Sequence, residues 1–332
     1  MSPLPALSAA LAWVGRQGTR AVAASVFAGL LLPALAALLK PAVPAAIVAL
    51  LALAFLRVEA GALRAQLVRP ALTLAAAAWI MLAVPALIGT ALALLSVGET
   101  LPALHLALLL QAFAPPIMAA PAFAALLGLD AALVLATLML CMAATPLTSI
   151  AFAAIFLAVP GPLADGPGAA LTLSPLVLGI RVAAVLAGAA FAAAVVRQVL
   201  GEPWLRRQRE CIDGLNVIVL LIFAIAVMDG VTARFIAEPG LVIGLTLIAF
   251  ALALAVAGLT ALIFARAGRR RALALGLAAG LRNLGLMLAA TGGAVPEVTW
   301  IYVGLAQFPI YLLPQLLQPL ARRLPAERSE GS

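Results

Sequence analysis

Charge is what this 332-residue chain has least of. Only 10% of its residues are charged, against 66% hydrophobic. Soluble domains are about a quarter charged and about half apolar, so a soluble core is excluded as the reason for so much apolar sequence. A bilayer supplies the reason, because there lipid is the solvent. Lysine is nearly missing as well: Lys40 stands alone against nineteen arginines. The single histidine, His105, near the outer end of a span, and the two cysteines, Cys141 and Cys211, show no metal-ligand spacing and no disulfide framework. No hydrolase elbow, phosphate loop, paired intramembrane carboxylates or Ser/His set is present, so catalytic residues, a metal and a resident cofactor are not expected. The net charge of +8 sits in loops without interleaved aromatics, which argues against a nucleic-acid partner. No segment is long enough for a separate signalling domain, which disfavours a membrane-embedded sensor.

What is present is a series of apolar runs. They predict an all-α membrane protein with spans at 21–39, 41–56, 70–96, 101–128, 130–158, 173–199, 213–232, 239–265, 272–294 and 298–320. Residues 1–20 read as an interfacial N-terminal segment, because the apolar stretch before Arg16 and Arg20 has the wrong order for a signal peptide. Residues 321–332 read as a cytoplasmic tail. With ten crossings and the N-terminus inside, sixteen arginines fall in inside segments, and only Lys40 and Arg234 fall outside. This asymmetry predicts both termini in the cytoplasm of a bacterial inner-membrane protein.

Spans one to five (21–158) and six to ten (173–320) would have opposite orientations, and each set contains a broken fourth helix. The first break is Ala114-Pro115-Pro116, where two successive residues lack an N–H and the residue before them is pushed out of α geometry. The second is Gly280-Leu281-Arg282-Asn283, flanked by Gly276 and Gly285. Paired breaks in corresponding helices point to an inverted repeat and to a transport site near the midplane.

Arg282 lies mid-span, too deep to reach the interface, so it should face the protein interior. Its partner would be a carboxylate, helix-end carbonyls or an anionic ligand. Asn283, one of two asparagines, can satisfy loose backbone groups or touch a ligand. Thr137 and Gln307 can turn toward the break, or bond their own helices. Arg181 and Asp229 fall in the outer parts of adjacent antiparallel spans, where they can form an ion pair or snorkel to the interface. In the sharper reading Asp229 is a proton-coupling carboxylate. Asp130 follows Gly128 and fits an N-cap, with coupling as its alternative role.

Taken in order, these segments resemble the bile acid:sodium symporter family. Ala114-Pro115-Pro116 through Gly128-Leu129-Asp130, then Thr137 and Thr145-Pro146-Leu147-Thr148, are similar to its fourth and fifth helices. Gly280-Leu281-Arg282-Asn283-Leu284-Gly285-Leu286-Met287-Leu288-Ala289 is similar to its broken ninth helix. Gly29-Leu30-Leu31-Leu32-Pro33 and Arg57…Glu59…Arg69-Pro70 fit its first two. The resemblance covers about residues 20–320. It implies a 5+5 inverted repeat with helices four and nine unwound and crossing, and alternating-access transport of a small organic anion, usually with sodium.

The sodium ligands expected from the resemblance are mostly replaced. Ala278 stands at the family's Glu position, Arg282 at its Gln position, and Ala119 and Ala120 at its Ser-Asn pair; Thr137 is retained. A hard cation needs several oxygen ligands. The expectation is therefore that Arg282 takes the place of the cation, leaving Na+ or H+ coupling, or none, open. A channel or a sodium symporter with a reduced site is the alternative. Small residues abound in the spans, but they mark no dimer face.

Overall fold

The computed structural model describes residues 27–57, 70–157 and 174–323. The expected interfacial segment 1–20, most of the tail, and Glu59, Arg64 and Arg69 lie outside the described residues. The described residues form helices α1 (Pro33–Leu39), α2 (Val43–Leu56), α3 (Pro70–Ala78), α4 (Val84–Leu94), α5 (Pro102–Phe113), α6 (Ala120–Leu126), α7 (Ala131–Phe156) and α8 (Pro175–Leu200). They continue with α9 (Glu202–Arg207), α10 (Arg209–Ala226), α11 (Val231–Ala237), α12 (Pro239–Ile263), α13 (Arg269–Gly280), α14 (Leu284–Ala290), α15 (Glu297–Leu305) and α16 (Gln307–Arg322). Proline opens many of them: Pro33, Pro102, Pro175 and Pro239 each fill a first-turn position where the missing N–H costs nothing.

Among the described residues, seven helical stretches are long and apolar enough to cross a bilayer: Pro33–Leu56, Pro70–Leu94, Ala131–Phe156, Pro175–Leu200, Arg209–Ala237, Pro239–Ile263 and Glu297–Arg322. The chain is thus an all-α, multi-pass membrane protein. Two further helices are interrupted, α5/α6 by residues 114–119 and α13/α14 by residues 281–283, at the two breaks expected from the sequence.

The remaining differences have local causes. A separation of the first two spans is expected at Lys40, but Lys40–Ala42 is a 3-10 turn that keeps Pro33–Leu56 in one helical stretch. Helix α10 ends before Gly230, whose φ of +79° is easy only without a Cβ. Trp79–Ala83, inside the third expected span, is a π-helical turn.

Helices α1 and α2 pack on α10, and α2 also packs on α8. A second group joins α12 to α13, α15 to α5, α4 to α5, and both α3 and α6 to α7. The groups meet where α7 lies on α8 and where α14 touches both α8 and α2. Close approach of α13 to α12 depends on glycine. A Cβ at Gly276 would lie 2.5 Å from Ala257 O, and one at Gly280 would lie 2.7 Å from Ala253 O.

Candidate functional site: the crossing of two broken helices

At the first break, Pro115 and Pro116 leave the carbonyls of Gln111 and Ala112 without their α-helical donors. Ala114 turns extended, at φ −64° and ψ 140°. The next free amide, Ile117 N–H, leaves its own helix and donates to Leu281 O at 2.9 Å. In return Asn283 N–H donates to Pro115 O at 2.8 Å. Pro116 and Arg282 therefore form an antiparallel bridge, a two-bond fragment of β ladder inside an otherwise helical protein. Each break supplies the groups that the other lacks, which is how irregular backbone survives at this depth.

Arg282 secures the crossing. It is only 3% exposed. Its Nη1 donates to Ala114 O at 2.8 Å, and Nη1 and Nη2 both donate to Ile80 O at 3.3 Å. No carboxylate pairs with it among the described residues. Of the three partners expected from the sequence, the structure places it on carbonyls. Ala114 O lies at the C-terminal end of α5, where unsatisfied carbonyls and the helix dipole favour a cation. Ile80 O is available for a separate reason. In the π turn Val84 N–H donates to Trp79 O, five residues back. In that register Pro85 would serve Ile80 O, and proline has no N–H. The signal for this third partner, a proline in mid-span at 85, is present in the sequence but is not read there.

Asn283 is the centre of an inverse γ-turn, with φ −80° and ψ 69° and a 2.9 Å bond from Leu284 N–H to Arg282 O. Its side-chain Oδ1 accepts from Leu286 N–H at 3.1 Å, capping α14. Gly285 follows it, where an added Cβ would meet Phe223 of α10 and Ile47 of α2. This side of the crossing faces the other helix group.

Gln111, three residues before Ala114, lines the same narrow space as Arg282, Ala279 and Gly280. Its side-chain oxygen accepts from the Tyr302 hydroxyl. Both residues are buried, and sequence reasoning missed the pair.

The other expected residues are not gathered at the crossing by any hydrogen bond. Gln307 is buried, but its amide donates to Val303 O in its own turn, at 3.0 Å. Thr137 is fully buried, and its hydroxyl has no hydrogen-bond partner. The Arg181–Asp229 pair that the sequence allows does not form. Asp229 pairs with Lys40 at 2.8 Å, while Arg181 donates to Thr291 O at 3.3 Å. Both cations stand near the same end of the bundle, and Lys40 reaches the carboxylate.

Asp130 caps α7, its Oδ1 accepting from Leu133 N–H at 3.0 Å, and its other oxygen lies 3.6 Å from Arg271. Replacing Asp130 with Ala should cost about 1 kcal/mol, read as a lower melting temperature of the purified protein. Asp130→Asn keeps a capping oxygen and should recover most of that loss. An Asn variant as unstable as Ala would remove the cap from the account.

No protein-family model matches this chain, and no curated protein matches it.

Proposed function

We propose that this protein is a secondary transporter of a small organic anion, working by alternating access in a bacterial inner membrane, with altered or absent sodium coupling. The observation that carries this reading is the crossing itself: two interrupted helices exchange backbone hydrogen bonds around a buried arginine. Discontinuous helices that meet inside the bilayer are a recurrent way to build a transport site. The motif order resembling the bile acid:sodium symporters supports the choice of an organic anion. In this reading ten helices form a 5+5 inverted repeat, with both termini cytoplasmic. The α1, α2, α8 and α10 group moves against the group carrying the crossing.

Arg282 acts as a tethered cation. It occupies backbone carbonyls, one at a helix end and one in a π turn, the kind of ligand that a hard monovalent ion would otherwise take. It can neither dissociate nor respond to a sodium gradient. In proteoliposomes, uptake of organic anions is therefore expected to be driven by an imposed proton gradient, or to be indifferent to both gradients.

A second reading, sodium symport through a reduced site, has one observation in its favour: the buried Thr137 hydroxyl without a partner. Uptake stimulated by sodium alone, lost in Thr137→Ala and kept in Arg282→Ala, would establish that reading and remove the tethered cation.

A further inference from the structure

A cavity of about 170 Å³ opens at the Lys40 end of the bundle, between the start of α2 and the end of α14. Its buried floor is Ile47 and Leu288, with half-buried Ala289 beside them. Trp300 forms a wall, and exposed Lys40 and Gly292 form the rim. Ile47 also borders Gly285, so the floor lies close to the helix that Asn283 caps.

The charges at the mouth do not cancel. Lys40 is paired with Asp229 at 2.8 Å and sits 4.7 Å from the centre of the Trp300 ring. Trp300 in turn donates its indole N–H to Asp229 O at 3.2 Å. Arg181 adds a second cation. Its Nη1 would lie 3.3 Å from a Cβ at Gly292, and among the described residues no carboxylate pairs with it. Lys40 thus lines the rim with Asp229 paired to it, and Arg181 stands beside rim residue Gly292, so the mouth has two cations and one carboxylate near it. A cavity of about 150 Å³ lined by apolar side chains can hold benzene, so this one has room for a body of about one ring.

We infer that this cavity is a binding site for a small amphiphilic monocarboxylate, with its apolar body on Ile47, Leu288 and Ala289 and its carboxylate toward Arg181 and Lys40. The inference rests on the transport reading for the role of the site, as the place where the transported anion is first held. The size and charge of the ligand come from the cavity. Glycine at 292, with φ +74°, keeps the rim free of a side chain between Arg181 and the opening.

The test is calorimetric titration of the purified full chain in detergent with benzoate and with benzyl alcohol, its neutral analogue. Benzoate should bind at least about tenfold more tightly, since a charge-assisted hydrogen bond is the main difference between the two. Arg181→Gln should weaken benzoate about tenfold while leaving benzyl alcohol unchanged, and Arg181→Lys should recover part of the loss. Ala289→Phe should abolish binding of both. No benzoate binding to the parent protein, or equal affinity for the two probes, would overturn the inference, and neither result depends on a variant folding. Benzoate binding with this variant pattern, in a protein that moves no anion under any gradient, would uphold the site and remove the transport reading. Anion uptake together with benzoate affinity unmoved by Arg181→Gln and Ala289→Phe would do the reverse.

Discussion

Replacing Arg282 with Met should lower the stability of the purified protein by about 2–4 kcal/mol. Two buried carbonyls, Ala114 O and Ile80 O, would lose their donor. Each orphaned acceptor costs about 1–3 kcal/mol. Removing a buried guanidinium returns part of this, because its own desolvation is relieved. Neither carbonyl can find a substitute in its own helix. Ile80 O faces Pro85, and Ala114 O lies where α5 ends against Pro115 and Pro116. The expected readout is a fall of roughly 3–6 °C in the melting temperature, with anion uptake lost. Arg282→Lys keeps the charge but not the fork that reaches two carbonyls together, so it should fall between. The measurement separates two roles of the residue. An arginine serving only as an anion ligand could be removed with the melting temperature unchanged or raised. That result would break the account of the crossing given above.

The two breaks were legible because their chemistry is local. Two prolines in sequence remove two amides wherever they stand, and an arginine ten residues from either interface must turn inward. What those groups bind was legible only in kind. Helix-end carbonyls are among the partners that the sequence allows Arg282, but the choice among them required the third span, whose π turn frees Ile80 O some 202 positions away in the chain. The Gln111–Tyr302 pair was hidden for the same reason: each residue alone is a polar side chain in an apolar run. Arg181 is the partner that the sequence suggests for Asp229, and the structure gives that carboxylate to Lys40. Helices α7 and α8 are almost equally apolar on every side, so periodicity does not say which face of such a helix turns inward. Rotation of a helix about its axis is set by packing against its neighbours, which a uniformly apolar sequence does not encode. The charge of Lys40 marks a connection between spans, yet the structure carries the helical stretch through it by a 3-10 turn.

Gly276→Leu is the second change expected to have a large effect, and it acts through packing. Gly276 and Gly280 sit one turn apart on α13 and press against Ala253 and Ala257, also one turn apart, on α12. Small residues at this spacing let two backbones approach inside a bilayer. The obstacle to a side chain is a backbone oxygen: Ala257 O would be 2.5 Å from the new Cβ at 276. A flexible side chain could rotate away, but a helical carbonyl cannot. The helices must then separate, and α13 leads directly into Leu281, whose carbonyl accepts from Ile117 N–H. Displacing α13 therefore pulls on the bridge between the two breaks. Gly276→Ala should cost about 1–3 kcal/mol, and Gly276→Leu should cost more, with little folded protein recovered. Gly258 supplies the control, because an added Cβ there meets nothing within 4 Å. Gly258→Ala should be neutral or slightly stabilising, since alanine favours the helix by about 1 kcal/mol. If Gly276→Ala and Gly258→Ala melted at the same temperature, close contact of α12 with α13 would not be what holds the crossing in place.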